Sequence, residues 1–247
     1  PPSSSVRHPL HDPIEWETFE TGLTPALYIY TGASDVWLVE APVDSPGRES
    51  WRELVPHRPE VMLEGLGAFA GFLVLLEREG GLQRLRVLVG DGSEHAVAFP
   101  EPAYALEPSA NAEYDTRLFR YVYQSLTTPA SVFDWDVDAR QATLVKRQPV
   151  LGGYDPERYA TERLFATAPD GVRVPISIVY RRDFARDGSR PLHLYGYGSY
   201  GYSMPAGFSS NRVSLLERGF ACAIAHVRGG GELGKPWHDA GRMAKKP

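Results

Sequence analysis

The feature that most limits what this chain can fold into is a spacing. Three aspartates sit in turns that end strand-like runs: Asp44 in Val43-Asp44-Ser45-Pro46, Asp91 in Gly90-Asp91-Gly92 and Asp138 in Val137-Asp138-Ala139. Each follows the last by 47 residues. From residue 27 to about 150 the sequence reads as β throughout, in short runs such as "DVWLVEAP", "FLVLLERE", "LQRLRVLVGDG", "HAVAFP", "LFRYVYQSL", "SVFDWDVDAR" and "ATLVKR". In "RLRVLVG", Leu85, Val87 and Val89 fall on one face and Arg84 and Arg86 on the other, the period of a strand. An all-β period in the high forties is the size of one four-stranded propeller blade, which buries both faces only against neighbours. The other reading is a β-sandwich in which common Asp turns recur by chance. About three blades fit, whereas closed propellers have roughly four to eight, so a truncated chain is expected. The ends agree with that expectation: the sequence opens on Pro-Pro-Ser-Ser-Ser and stops at "MAKKP".

The pattern changes near residue 158. "RYATERLFATAPDGVRVPISIVYRRDF" reads as a hairpin: Leu164 to Ala168, a turn at Pro169-Asp170-Gly171, then Val172 to Tyr180. "RPLHLYGYG" reads as a short buried strand that runs into a glycine loop. "SSNRVSLLERG" has helix punctuation: Ser209, Ser210 or Asn211 as cap, Val213, Leu215 and Leu216 as the apolar side, Gly219 as stop. "FACAIAHV" is a continuous apolar run, as expected for a parallel sheet covered on both faces. Strand, helix and buried strand make a β–α–β unit, the start of an α/β domain. The expected division is residues 1–157 as a partial β-propeller of about three blades and residues 158–247 as the first part of the α/β domain.

Bulk properties exclude several classes. Net charge is −5, which gives no support for nucleic-acid binding. No apolar run approaches the roughly 20 residues of a membrane span. "PPSSSVRHPLHDP" has no apolar stretch of the kind a signal peptide needs. The single cysteine, Cys222, lies in an apolar run, which fits a buried inert thiol and a reducing compartment.

Ser199, in "LYGYGSYG", invites reading as a nucleophile, but G-x-S-x-G needs glycine two before the serine, and Tyr197 stands there. The loop also runs on through Ser203, Met204 and Pro205 before any helix. "GGGELGKP" copies the first seven positions of a phosphate loop, but Pro236 stands where the hydroxyl residue belongs. His193 and His226 fall on strands read as buried; His8, His11, His57, His95 and His238 are scattered, so no metal site is read. His226 reads as a core residue or one that supports a site from behind. Asp134, Asp136 and Asp138 alternate along a strand and read as a solvated edge rather than a cation site. Tyr195, Tyr197, Tyr200 and Tyr202 are different: four phenols in eight residues, on a glycine-rich loop after a central strand, lie where α/β folds bind ligands.

"LYGYGSYG" followed by "LLERGFACAIAHVRGGGELGKPWHDAGR" resembles the opening of the catalytic domain of the prolyl oligopeptidase family of serine peptidases, and is most similar to its oligopeptidase B branch. "PVLGGYDPERYATERLFATAPDGVRVPISIVYRRDF" resembles that branch's crossing from propeller to hydrolase. The resemblance is strong over residues 148–247, fair over 27–147 and poor over 1–26. It implies a seven-bladed β-propeller over an α/β-hydrolase domain, and a Ser-Asp-His triad that cleaves short peptides, after Lys or Arg in this branch, with no cofactor and no metal. It assigns Tyr197 to oxyanion stabilisation and Tyr200 to the wall of the specificity pocket. The family's triad lies beyond "RGGGELG", so no triad residue is expected within residues 1–247, and the chain alone is expected to be inactive and poorly stable. Pro205 and Gly207 occupy positions where relatives often carry acidic residues, which speaks against a dibasic preference. The implied protein is cytoplasmic, acts on short peptides, and binds neither nucleic acid nor membrane. Rival readings are another member of the same fold family (an acylaminoacyl peptidase, dipeptidyl peptidase or esterase) and a non-enzymatic propeller module.

Overall fold

The computed structural model describes residues 14–21, 24–31, 38–42, 44–45 and 47–245. His8, His11, Val43 and Pro46 lie outside them. The described chain forms two compact units. One takes its residues from 1–80, 84–97 and 112–117, the other from 81–83, 98–111 and 118–247.

Three successive four-stranded antiparallel meanders fill the first part of the chain. The first comprises β1 (Ile14–Thr21), β2 (Thr24–Thr31), β3 (Leu38–Pro42) and β4 (Arg52–Val55). The second comprises β5 (Val61–Phe69), β6 (Phe72–Glu79), β7 (Leu82–Val89) and β8 (Glu94–Ala96). The third comprises β9 (Tyr104–Pro108), β10 (Leu118–Ser125), β11 (Ser131–Asp136) and β12 (Gln141–Arg147). Asp44, Asp91 and Asp138 each lie between the third and fourth strands of their sheet, so the 47-residue spacing marks one sheet per repeat. The turns use short-range acceptors. Asp91 accepts the N–H of Ser93 at 2.8 Å, and Asp136 accepts those of Asp138 and Ala139 at 2.9 and 2.8 Å. Asp138 is therefore a turn residue, and the expected row of three carboxylates on one strand is not formed; Asp134 is held instead by a bidentate pair with Arg120.

Alternation builds the cores. On β7, Leu85 and Val87 are fully buried, while Arg84 faces solvent and Arg86 pairs with Glu77 at 2.7 Å. In the first unit Leu38, Val55, Ala68 and Leu75 form one cluster. On β10, Phe119, Tyr121, Tyr123 and Ser125 point inward. Glu101 gathers four hydroxyls there, accepting from Tyr123 (2.6 Å), Ser125 (2.6 Å), Thr127 (2.5 Å) and Thr128 (2.8 Å).

The α/β part begins with the expected hairpin, β13 (Tyr159–Thr167) and β14 (Arg173–Arg181). Then follow β15 (Leu192–Gly196), α1 (Ser210–Glu217), β16 (Ala221–Ala225) and the short α2 (Lys235–Asp239). Ser209 caps α1 through the N–H of Arg212, and Gly219 ends it, its N–H bonded to the Leu216 carbonyl at 2.9 Å. The sheet order is β13-β14-β16-β15. β15 and β16 pair in parallel, as the β–α–β reading requires, but β16 pairs antiparallel with β14. The sheet is thus mixed, because the hairpin enters it antiparallel. β16 is buried as expected. β15 is not: every residue of it is exposed, including Leu192, His193 and Leu194. The reason is position. β15 is the edge strand, α1 packs on β16 and β14, and among the described residues nothing covers β15.

One cluster of buried residues spans both parts of the second unit: Ala103 and Leu126 from the third meander join Tyr159, Val179, Ala206, Leu216, Cys222 and Ile224. Burial pushes the Cys222 thiol up. Tyr159, buried and donating to Glu217, is pushed up to about 12. No helix of the described residues is long and apolar enough to cross a membrane.

Two measurements test this packing in the protein that carries the chain. Leu216→Ala is expected to lower unfolding free energy by about 2–5 kcal/mol, against about 1 for Ser209→Ala, read from urea denaturation. Cys222 is expected to resist a thiol reagent at pH 8 in the folded protein and to react at once in denaturant, since its raised pKa keeps it a thiol and its burial excludes the reagent.

Candidate functional site

The phenol-bearing loop leaves the C-terminal end of β15 and runs from Tyr197 to Pro205. It is held by a second glycine-rich loop, Arg228 to Gly234, which leaves the C-terminal end of β16. The two meet backbone to backbone. The N–H of Gly201 donates to the Gly229 carbonyl at 2.9 Å. Gly229 has φ +96°, and a Cβ there would overlap the Gly198 carbonyl oxygen. A Cβ on Gly198 would likewise meet the Arg228 carbonyl at 2.6 Å. Glycine is needed on both sides for the approach. Two hydrogen bonds fix the second loop from behind: Gly229 N–H to the Trp237 carbonyl at 3.1 Å, and Trp237 Nε1–H to the His226 carbonyl at 3.2 Å.

On this platform Ser199 to Tyr202 form a tight turn, closed by the Tyr202 N–H on the Ser199 carbonyl at 3.1 Å. Both central residues have positive φ, Tyr200 at +58° and Gly201 at +66°, the signature of a type I′ turn. Glycine or asparagine is usual at the first of these; a tyrosine costs roughly 1–2 kcal/mol. Its ring is 90% exposed. Tyr197 is 42% exposed and is braced edge-on by Tyr202, with ring centroids 6.2 Å apart at 89°. Its hydroxyl has no hydrogen-bond acceptor among the described residues.

The loop then turns back toward the third meander and is pinned along its length. Glu232 Oε1 accepts the N–H of Met204 at 2.9 Å, Arg212 donates to the Gly207 carbonyl at 2.7 Å, and Gln124 accepts the N–H of Phe208 at 3.1 Å. Tyr154, on the crossing segment, donates to the Thr127 carbonyl at 2.5 Å, stacks on Tyr159 and meets the edge of Phe208. A Cβ on Gly207 would come within 2.8 Å of Gln124 Oε1, so an acidic side chain there would need Gln124 to move.

The structure thus brings Tyr197, Tyr200 and Tyr202 onto one loop, while Tyr195 stays on the exposed strand. Ser199 occupies the first corner of a turn well before α1 begins. The would-be phosphate loop carries the Glu232 carboxylate inside it, bordering Gly230. His238 bonds the Gly229 carbonyl at 2.9 Å through Nδ1. No group of three or more His, Cys, Asp or Glu side chains among the described residues could hold a metal. Sequence reasoning missed the mating of the two glycine loops and the burial of Glu232. The available signal for the latter was an acidic residue set among three glycines and a leucine.

Comparison with known proteins agrees with this architecture. The family model described as the prolyl oligopeptidase N-terminal beta-propeller domain matches residues 26–148. The model described as the prolyl oligopeptidase family matches residues 206–247. The chain is 45% identical over 216 residues to dipeptidyl aminopeptidase BI of Pseudoxanthomonas mexicana, covering 87% of this chain and 30% of that one. It is 33% identical to Protease 2 of Moraxella lacunata, covering 96% of this chain and 33% of that one. The structure of oligopeptidase B from Leishmania major superposes with a TM-score of 0.86 at 33% identity, over 97% of this chain and 35% of that one. The chain therefore spans about a third of the length of the relatives it matches. With three blade-sized meanders leading into a β–α–β unit, and both parts matched in that order, the chain belongs to the prolyl oligopeptidase family.

Proposed function

We propose that this chain is part of a serine oligopeptidase that hydrolyses short peptides by acyl transfer, and that Tyr197 donates its hydroxyl to the oxyanion of the tetrahedral intermediate. The observation that carries this is the setting of Tyr197: a half-exposed phenol at the C-terminal end of a sheet strand, braced by Tyr202 and backed by a rigid glycine platform. A donor held in advance of the reaction stabilises developing charge without reorganising. Tyr200 would form one wall of the specificity pocket; an exposed tyrosine kept in a left-handed turn fits a residue retained for contact rather than stability. Residues 1–157 would serve as propeller and 158–247 as the opening of the hydrolase. The single buried thiol suits a reducing compartment such as the cytoplasm.

Substrate choice has two readings. The oligopeptidase B likeness favours internal cleavage after Lys or Arg. The name of the 45%-identical relative favours release of dipeptides from a free N-terminus. Pro205 and Gly207 argue against a dibasic site in either case.

In the whole protein that carries this chain, Tyr197→Phe is expected to lower kcat roughly 10²- to 10³-fold with KM little changed. Steady-state kinetics on fluorogenic arginyl peptides would read this, and an unchanged kcat would remove Tyr197 from the chemistry. Comparing N-blocked with N-free peptides separates the two substrate readings, since a dipeptidyl aminopeptidase leaves the blocked ones intact. The 247-residue chain by itself contains no G-x-S-x-G and is expected to show no turnover. Turnover lost on Ser199→Ala would overturn that expectation.

A further inference from the structure

Ser177, His226 and Glu232 form a buried row that the proposed chemistry does not use. Ser177 sits in the middle of β14, His226 directly follows β16, and Glu232 lies in the second glycine loop. Ser177 Oγ is 2.8 Å from His226 Nε2, and His226 Nδ1 is 3.4 Å from Glu232 Oε1. The three are 1%, 4% and 2% exposed. The order copies that of a hydrolase triad, but a serine sealed in mid-strand cannot meet a substrate, and nucleophiles of this type sit on exposed turns. A buried polar row needs another reason to persist, because each member is costly unless satisfied.

The connections of the row point to one. Glu232 Oε1 takes the N–H of Met204, at the far end of the loop that starts with Tyr197. The N–H of His226 donates to the Pro175 carbonyl on β14 at 2.9 Å, and its carbonyl takes the indole of Trp237. A Cβ on Gly230 would overlap Glu232 Oε2, so the carboxylate could not keep its present place beside any other residue there. Burial alone would raise the Glu232 carboxyl, but the bonds from His226 and from the Met204 N–H hold it below the ordinary range, so it is an ionised acceptor. The arrangement that uses the donors in sequence has Ser177 O–H donated to Nε2 and Nδ1–H donated to the carboxylate. Glu232 Oε2 has no partner among the described residues, so the anion depends on Oε1 and its two donors.

We propose that Ser177, His226 and Glu232 are positioning residues for Tyr197. They anchor Met204 to β14 and β16, and so fix the Ser199–Tyr202 turn and the Tyr202 ring that braces the Tyr197 phenol. The proposal rests on the oxyanion role of Tyr197, and its test separates the two. The whole protein is labelled with 3-fluorotyrosine, the Tyr197 resonance is assigned with Tyr197→Phe, and kcat and KM are measured alongside. Glu232→Gln is expected to shift or split the Tyr197 resonance and lower kcat roughly 10- to 100-fold at nearly constant KM, the scale of a small misplacement of a reacting group. Ser177→Ala should act in the same direction with a smaller effect. If both variants keep the resonance and kcat of the parent and only unfold more easily, the row is packing alone and the proposal fails. If Glu232→Gln does not fold, Ser177→Ala decides by the same two readings. If Tyr197→Phe leaves kcat unchanged, the oxyanion reading fails, and the resonance alone decides the positioning.

Discussion

Where the Tyr197–Pro205 loop meets the Arg228–Gly234 loop, no side chain separates the two backbones. The carbonyl of Gly198 lies over the α-carbon of Gly229, and the N–H of Gly201 closes on the Gly229 carbonyl. This contact sets the remaining geometry of the site. It brings the loop close enough for Glu232 to reach Met204, leaves the Ser199–Tyr202 turn little room to relax, and holds Tyr197 at the strand end. Each glycine raises the entropy cost of folding by roughly 0.5–1 kcal/mol relative to alanine. Hydrogen bonds from Trp237 and Gly201, and the burial of the indole, offset that cost locally.

A second constraint is that the third meander and the α/β opening share one core. Leu126 and Ala103 pack with Val179, Leu216 and Cys222, and no layer of solvated surface divides them. The Glu101 cluster stiffens the meander on the side where Thr127 meets Tyr154. The third meander and the α/β opening therefore belong to one compact unit.

Much of this was legible in the sequence because it depends on local rules. The Asp-turn spacing located one sheet per repeat, and the choice of Ser209, Ser210 or Asn211 as cap and Gly219 as stop bracketed α1, for which the structure selects Ser209. The stretch before Leu27 was harder. "IEWETFET" alternates imperfectly, and β1 was not read. "LHLYG" has the composition of a buried strand, but burial depends on neighbours in space, and the sheet order leaves β15 at an edge. At the site, the two glycine-rich runs read as loops, but that they meet follows from β15 and β16 being neighbours in the sheet. Ser177 carried no sequence signal, and His226 read only as a core residue or one that supports a site from behind. Their pairing across 49 residues depends on β14 and β16 being neighbours, which no local pattern states.

The bond between Gln124 and Phe208 has a mechanical side. Gln124 sits on β10, and Phe208 closes the segment that continues from the Tyr197 loop into α1. Tyr154 adds a second tie, reaching both Thr127 and Phe208. From Phe208 the backbone leads back to Met204, held by Glu232, and to the Ser199–Tyr202 turn, so one stretch of chain is tied at one end to β10 and at the other to the second glycine loop.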